Sequence, residues 1–135
     1  GKTHAGPVEM VDFYKTLADL CGLKAPGTVT GVSLAAALRD SSTSIRTSAL
    51  TQYAGGYSLR TSRYRYTEWG EGGQGGSELY DRASDPDELI NLAGQESYKA
   101  TRERLAELLS QRVAAAKQKP KGLVQIPFNN RRRVR

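Results

Sequence analysis

The sequence predicts an α+β domain in which a four-stranded antiparallel sheet packs against a long C-terminal helix, with an additional helix near the N-terminus. Three observations carry this prediction. Short β-rich segments separated by turn residues fill residues 47–82. An apolar stripe at helical spacing precedes them, and a longer one follows. Because the strands are consecutive along the chain, we expect the helices to lie on one face of the sheet.

The first two helices are predicted over residues 8–22 and 33–39. Gly22 can end the first helix, and Ser33 can act as the N-cap of the second. Apolar side chains recur along the first helix at three- and four-residue spacing: Val11, Tyr14, Leu17, Ala18 and Cys21.

The strands are predicted where β-branched and aromatic residues are frequent. Ser62 and Arg63 join two such runs into a hairpin. The glycine-rich run 70–76 is interpreted as a flexible hairpin loop. It is not a phosphate cradle, because it lies between strands and does not open a helix. The four strands cover residues 47–53, 57–61, 64–69 and 78–82.

The segment after the last strand contains three acidic residues near Pro86. We interpret residues 85–88 as a turn leading into one helical turn at residues 89–92, because a calcium loop needs more oxygen ligands at set positions. A long helix is predicted over residues 97–116 and is ended by Pro120. Its apolar stripe consists of Tyr98, Thr101, Leu105, Leu108, Leu109 and Val113.

The net charge of +6 is unevenly distributed along the 135 residues. Seven of the 20 basic residues and none of the 14 acidic ones lie in residues 117–135, so the rest of the chain carries a net charge of −1. We therefore divide the chain into a folded domain, residues 1–119, and a basic tail, residues 120–135, which is expected to be a solvated, mobile end.

Several classes of function are disfavoured by the composition. Cys21 is the single cysteine, so no internal disulfide forms, and we expect it to be a buried small apolar side chain. With His4 as the single histidine, the sequence offers no Ser/His/Asp triad. No run approaches the ~18–20 apolar residues of a membrane span, and the N-terminus lacks the apolar segment of a signal peptide.

Cations and aromatic residues alternate on two adjacent predicted strands, as they do in proteins that stack single-stranded nucleic acid. Because residues 1–116 carry a net charge of −1, nucleic acid is disfavoured and structural packing is favoured. A small basic-tailed module that binds nucleic acid or a polyanionic glycan remains the alternative function. The alternating residues are Arg60, Arg63, Tyr64, Arg65, Tyr66 and Trp69.

Five blocks of this sequence, in this order, resemble the C-terminal region of sulfatases, most closely the iduronate-2-sulfatase-like branch. One departure from the family pattern is Lys15, which replaces a usual Pro and suits a helix better. The first block reads Val-Glu-Met-Val-Asp-Phe-Tyr, and the second reads Gly-Val-Ser-Leu. The blocks are residues 8–23, 31–34, 52–69, 78–81 and 85–93.

The resemblance implies that this chain is a subdomain of a sulfuric-ester hydrolase whose catalytic part is not in the sequence. That part would carry calcium and a formylglycine, and its substrate would be a sulfated carbohydrate. Cys21 does not fit the formylglycine motif, since Leu23 and Ala25 stand where Pro and Arg are required. No catalytic or metal residue is therefore assigned, and the isolated chain is expected to be inactive.

The resemblance also implies contacts with the catalytic part. Loops of this subdomain could rim the substrate cleft, and the parent would belong to a secreted, periplasmic or lysosome-like compartment. We expect an apolar docking face that includes some of Val11, Tyr14, Leu17 and Leu50, and self-association of the isolated chain through it. The rim candidates are Gln52, Tyr53, Gly55, Gly56 and Gln74.

Overall fold

The computed structural model describes residues 1–123. It confirms the α+β class, with two short helices, four strands and a long helix in sequence order. Within the described residues, no helix combines the length and apolar character needed to cross a membrane. The elements are α1 (Asp12–Leu20), α2 (Ala35–Arg39), β1 (Ser48–Tyr53), β2 (Gly56–Thr61), β3 (Tyr64–Trp69), β4 (Ser77–Asp81) and α3 (Lys99–Lys117), with single 3₁₀ turns at Glu71–Gly73 and Glu96–Tyr98.

The four strands form one antiparallel sheet in the order β1-β2-β3-β4. Its register places one residue of each strand in a row across the sheet: Leu50, Leu59, Tyr66 and Leu79. Helix α3 packs on this face, as the period-two alternation of the strands predicts. The row and the buried leucines of α3 form the core of the domain.

Helix α3 buries the middle of its predicted stripe. Leu105 is 0% exposed and Leu109 is 1% exposed, whereas Leu108 and Val113 are only partly buried at the edge of the core. The helix ends at Lys117, and Gln118 is already extended. This position agrees with Pro120, because a proline disfavours helical geometry in the residue before it.

The predicted helical turn at residues 89–92 is wrong. This segment instead runs along the outer edge of β4, where its polar groups pair with strand backbone. The Leu79 amide donates to Asn91 Oδ1 at 3.0 Å, and the Leu92 amide donates to the Leu79 carbonyl at 2.8 Å. Asn91 Nδ2 also donates to the Ser77 carbonyl at 3.2 Å. An edge strand presents unpaired backbone groups, and pairing with them outweighs the local helical tendency.

The N-cap of α2 differs by one residue from the prediction, because Leu34 occupies the capping position. The Ser33 hydroxyl still accepts a hydrogen bond from the Ala35 amide at 3.2 Å. The predicted basic tail is described only as far as residue 123, where residues 121–122 form a turn. Its remaining residues, 124–135, lie outside the described part.

Helix α1 turns its polar side inward and its apolar side outward. Asp12 and Thr16 are buried, whereas Met10, just before the helix, is 77% exposed. Cys21 is exposed as well, so its predicted burial is wrong: the stripe that contains it faces away from the protein. The prediction of an exposed apolar face is confirmed for Val11, Tyr14 and Leu17, while Leu50 is half-buried. The outward-facing set includes Met10, Phe13, Tyr14, Leu17 and Leu20.

A polar network fixes the N-terminal segment to the rest of the domain. The Leu50 amide of β1 donates to Glu9 Oε1 at 2.8 Å, and Arg112 of α3 pairs with the same carboxylate. Arg46 donates from Nε to Asp12 Oδ2 at 2.8 Å, and its Nη2 lies 3.2 Å from Glu9 Oε2. The network therefore joins the chain before α1 to the sheet and to α3.

Candidate functional site

The turn between β1 and β2 is a tight two-residue hairpin. Ala54 and Gly55 have φ angles of 45° and 82°, as in a type I′ turn, and Tyr53 pairs with Gly56. Glycine suits this geometry, whereas an alanine at positive φ is strained. The turn therefore projects a small, defined tip from one end of the sheet.

The loop 70–76 meets this tip. The Gly70 amide donates to the Gly55 carbonyl at 3.2 Å, and the Gly75 amide donates back to the Trp69 carbonyl at 2.8 Å. The first contact joins two loops that are distant in sequence at the same end of the sheet, and the second fastens the loop 70–76 to the end of β3. The loop contains a 3₁₀ turn at Glu71–Gly73, and its predicted flexibility stays a prediction.

Trp69 packs between the hairpin and β4. A Cβ atom added to Gly56 would lie 2.5 Å from Trp69 Cε3, so the ring covers that glycine directly. The indole Nε1 donates to Glu78 Oε1 at 3.0 Å, and the Tyr80 hydroxyl donates to Glu78 Oε2 at 3.3 Å. Glu78 thus holds two aromatic side chains on the sheet face opposite α3.

The structure brings the predicted rim residues together at this end of the sheet. Gln52, Tyr53, Gly55 and Gln74 are exposed, and Tyr53 is 76% exposed. Gly56 is buried beneath Trp69, which places it behind the surface. Contact of these residues with a substrate stays a prediction.

Sequence reasoning missed a cavity of about 320 Å³ behind the same loops. It lies between the Gly70–Gly72 segment and the end of α3. The strand register indicates this cavity. Gln52 pairs with Tyr57, and Tyr57 pairs with Glu68, so three polar side chains form a row on the sheet face that α3 covers. Its polar and apolar walls include Tyr57, Glu68, Glu71, Ser110, Val113 and Lys117.

Glu68 in this cavity is a hydrogen-bond acceptor. The Tyr66 hydroxyl donates to Glu68 Oε1 at 2.8 Å. Burial of Tyr66, reinforced by this carboxylate, raises the pKa of the tyrosine to about 12. Tyr66 therefore stays protonated at neutral pH and keeps its proton directed at Glu68.

Two acidic side chains that follow β4 already bond to other groups of the domain. Glu88 has a φ of 58°, and its carboxylate bridges Arg65 and Arg82, with N–O distances of 2.7 and 2.8 Å. Asp85 Oδ2 accepts the Ile90 amide at 2.9 Å. In the described part of the chain, no three His, Cys, Asp or Glu side chains converge to hold a metal ion. His4, the one histidine, bonds through Nδ1 to the Ser41 carbonyl at 2.9 Å.

The alternating cations and aromatics pair within the domain. Arg63 donates to both oxygens of Asp81, at 2.9 and 2.6 Å, and lies 4.9 Å from the centre of the Tyr64 ring. The Arg63 hydrogen bonds hold the pKa of Asp81 below its ordinary value. Tyr66 is buried in the core. These side chains do not form the open stacking platform that a nucleic-acid binder requires.

Comparison with known proteins gives the family of this fold. A family model described as N-sulphoglucosamine sulphohydrolase, C-terminal, matches residues 1–115. A sulfatase of Formosa agariphila is 36% identical over 110 residues, covering 81% of this chain and 21% of that protein. The delta 4,5-hexuronate-2-O-sulfatase of Bacteroides thetaiotaomicron is 34% identical over 97 residues, covering 65% of this chain and 20% of that protein.

Solved structures agree with this comparison. A 2-O GAG sulfatase superposes with a TM-score of 0.66 at 32% identity, covering 84% of this chain and 26% of that chain. This chain spans about a fifth of the length of the curated relatives it matches. Because the family match covers most of the described residues, the chain belongs to the N-sulphoglucosamine sulphohydrolase C-terminal family and is a C-terminal subdomain of the sulfatases.

Proposed function

We propose that this chain serves a longer sulfuric-ester hydrolase by packing on its catalytic part and by rimming the substrate cleft. The observation that carries the proposal is the meeting of two loops through the Gly70–Gly55 hydrogen bond, which presents Tyr53 and Gln74 on one exposed surface. The reaction itself would be performed by the catalytic part. Residues of this chain do not fit its calcium or formylglycine, since the described residues hold no metal cluster and Cys21 lacks the Pro and Arg of the motif.

The outward apolar side of α1 supports the packing role. A soluble helix normally buries its apolar stripe, and here that stripe faces solvent while Asp12 and Thr16 face inward. The occupant we propose is the catalytic part of the same protein. In its absence, the isolated chain should self-associate through this face. Sedimentation of the chain beside a Leu17→Glu and Tyr14→Glu double variant tests this, and a strictly monomeric parent chain at high concentration would contradict it.

We further propose that the substrate is a glycan bearing a hexuronate 2-O-sulfate, as in the iduronate-2-sulfatase-like branch. One relative is named for that ester, and a solved neighbour is named a 2-O GAG sulfatase. The test is sulfate release by the longer protein from disaccharides sulfated at the uronate 2-O position or at the hexosamine 6-O position. Equal or faster release from the 6-O ester would reject this assignment.

The rim proposal is tested with Gln74→Ala in the longer protein. We expect a raised KM for a sulfated oligosaccharide, an unchanged kcat, and unchanged hydrolysis of a small aryl sulfate that does not reach the rim. Gln111→Ala is the matched control, because Gln111 is exposed on α3 and, among residues 1–123, its side chain bonds to Glu107 alone. Identical KM values for both variants and the parent would show that this surface does not touch substrate.

The alternative, a polyanion-binding module, depends on the basic C-terminal end, because residues 1–116 carry a net charge of −1. Removal of residues 129–135 should abolish retention on heparin at low salt, and retention of the full chain should weaken as salt is added. If the truncated chain is retained as strongly as the full one, a basic surface on the folded domain would favour this alternative.

A further inference from the structure

We propose that the cavity between α3 and the Gly70–Gly72 segment is a sugar subsite that accepts a neutral or amino sugar and rejects a sulfated or uronic one. This inference rests on the proposed function, since it places a second unit of the glycan beside the rim. It goes beyond that function by assigning a binding site and the chemical class of its ligand.

The size and walls of the cavity suit one sugar ring. Its volume of about 320 Å³ is at the lower end of the ~300–1,000 Å³ typical of ligand pockets. Leu109 and Val113 of α3 and the ring of Tyr57 supply apolar surface, against which the C–H face of a sugar can pack. Ser110 adds a hydroxyl that both donates and accepts.

The acceptor groups of the cavity suit a ligand that carries hydrogen-bond donors. A carboxylate has about four acceptor positions, and among the described residues Glu68 accepts one side-chain hydrogen bond, from the Tyr66 hydroxyl to Oε1. The remaining positions can accept sugar hydroxyls or an ammonium group. Tyr66 contributes no negative charge, because its raised pKa keeps it protonated.

The charge of the lining determines the class of sugar. Glu68 and Glu71 oppose one cation, Lys117, so the cavity carries a net charge of −1. Lys117 also lies 5.7 Å from the centre of the Tyr57 ring, where the aromatic face attracts it. A sulfate or carboxylate brought into this lining would meet like charge, whereas an amine or a hydroxyl would be stabilised.

The position of the cavity connects it to the rim. Gln52, Tyr57 and Glu68 occupy successive strands in one row, with Gln52 at the rim and Glu68 at the cavity. Gly70 borders the cavity and also donates to Gly55 of the rim tip. A glycan that lies across the rim would therefore place a neighbouring unit at this opening.

The test is an NMR titration of the ¹⁵N-labelled full chain with glucosamine, N-acetylglucosamine and N-sulfoglucosamine. We expect the first two sugars to shift the amide signals of Ser110, Val113 and Gly72, with millimolar affinity, and N-sulfoglucosamine to shift them far less. Absence of shifts with all three sugars would overturn the proposal, and so would equal binding of the sulfated one.

Two variants locate the binding. Ala114→Trp fills the cavity and should abolish the shifts, whereas Ala100→Trp, at an exposed position of α3 away from it, should leave them intact. Glu68→Gln should weaken glucosamine binding at least tenfold and reduce discrimination against N-sulfoglucosamine. Undiminished shifts in the Ala114→Trp variant would overturn the proposal even if Glu68→Gln does not fold. These measurements do not depend on catalysis. If the chain binds the sugar but the longer protein has no sulfatase activity, the proposed function is rejected and the subsite proposal stands.

Discussion

Asp12 and Arg46 form a two-contact ion pair although they are 34 positions apart, and the Asp12 carboxylate is 0% exposed. The carboxylate also accepts the amides of Glu9 and Val32, each at 2.9 Å. One side chain therefore ties the start of α1 to the loop at Val32 and to Arg46. This explains why α1 keeps its position while its apolar side is exposed to solvent.

Replacement of Asp12 by Ala should destabilise the domain by about 3–5 kcal/mol, because it removes both Asp12 contacts of Arg46 and leaves the Glu9 and Val32 amides without their acceptor. Asp19→Ala is the matched control, since Asp19 lies exposed on the same helix. The free energy of unfolding from urea titrations measures both. Equal losses for the two variants would mean that the buried pair contributes nothing specific.

Stability should fall in acid through the same carboxylate. Burial raises the pKa of Asp12, but the hydrogen bonds from Arg46, Val32 and Glu9 outweigh burial and lower it below the ordinary 3.8. The unfolded chain then binds more protons, so the stabilisation is complete above the ordinary pKa and is lost as the pH falls through the folded one. The urea midpoint should drop between about pH 5 and pH 2, and Asp12→Asn should show a flatter profile over this range.

The two buried leucines of α3 should matter more than their half-buried neighbour. Leu105→Ala and Leu109→Ala should each cost about 2–5 kcal/mol, as expected for a cavity in a packed core. Leu108→Ala should cost less, because Leu108 is only partly buried. Thermal and urea unfolding rank the three variants, and a larger loss at Leu108 than at Leu105 would contradict the packing described.

Gly31 should tolerate no side chain. Its φ is 92°, and a Cβ atom would lie 2.3 Å from the Val11 carbonyl oxygen, so Gly31→Ala must displace the start of α1. The strained backbone alone costs about 1–3 kcal/mol, to which the clash adds. Gly27→Ala is the control, since no atom lies near its Cβ position and its φ is not positive. Similar melting temperatures for the two variants would refute this role of Gly31.

The isolated chain should not hydrolyse an aryl sulfate, with or without calcium. Its described residues contain no metal cluster, and Cys21 is not followed by the Pro and Arg of a formylglycine motif. Colorimetric assay of the purified chain measures this directly. Turnover above the buffer blank that survives a second purification would contradict the assignment of the chemistry to another part of the protein.

The strands and α3 could be predicted from the sequence because local patterns determine them. Tyr64 and Tyr66, two positions apart in β3, pack in the core together with Leu105 and Leu109 of α3. Which side of α1 faces the domain could not be derived from its residues alone. The pattern identifies an apolar side of the helix but does not tell what covers that side. The resemblance to sulfatases supplied that expectation, and the exposed Tyr14 and Leu17 agree with it.

The candidate site was predicted in part. The two loops were identified from glycine content and from the family resemblance, and the structure places them side by side. The cavity behind them depends on how α3 crosses the sheet, a tertiary relation that no local pattern contains. The error at residues 89–92 has the same origin. The conformation of Asn91 is determined by its hydrogen bonds to the edge of β4 and not by its neighbours in sequence.

The covering of β4 by Asn91 and Leu92 makes the two edges of the sheet unequal. On the outer side of β4, the Ser77 carbonyl and both backbone groups of Leu79 are already paired. An open strand edge is a template for aggregation and for strand exchange between molecules. This edge is closed to both, so any strand that another chain adds to the sheet must add beside β1, where the Glu9 carboxylate on the Leu50 amide is the group it would have to displace.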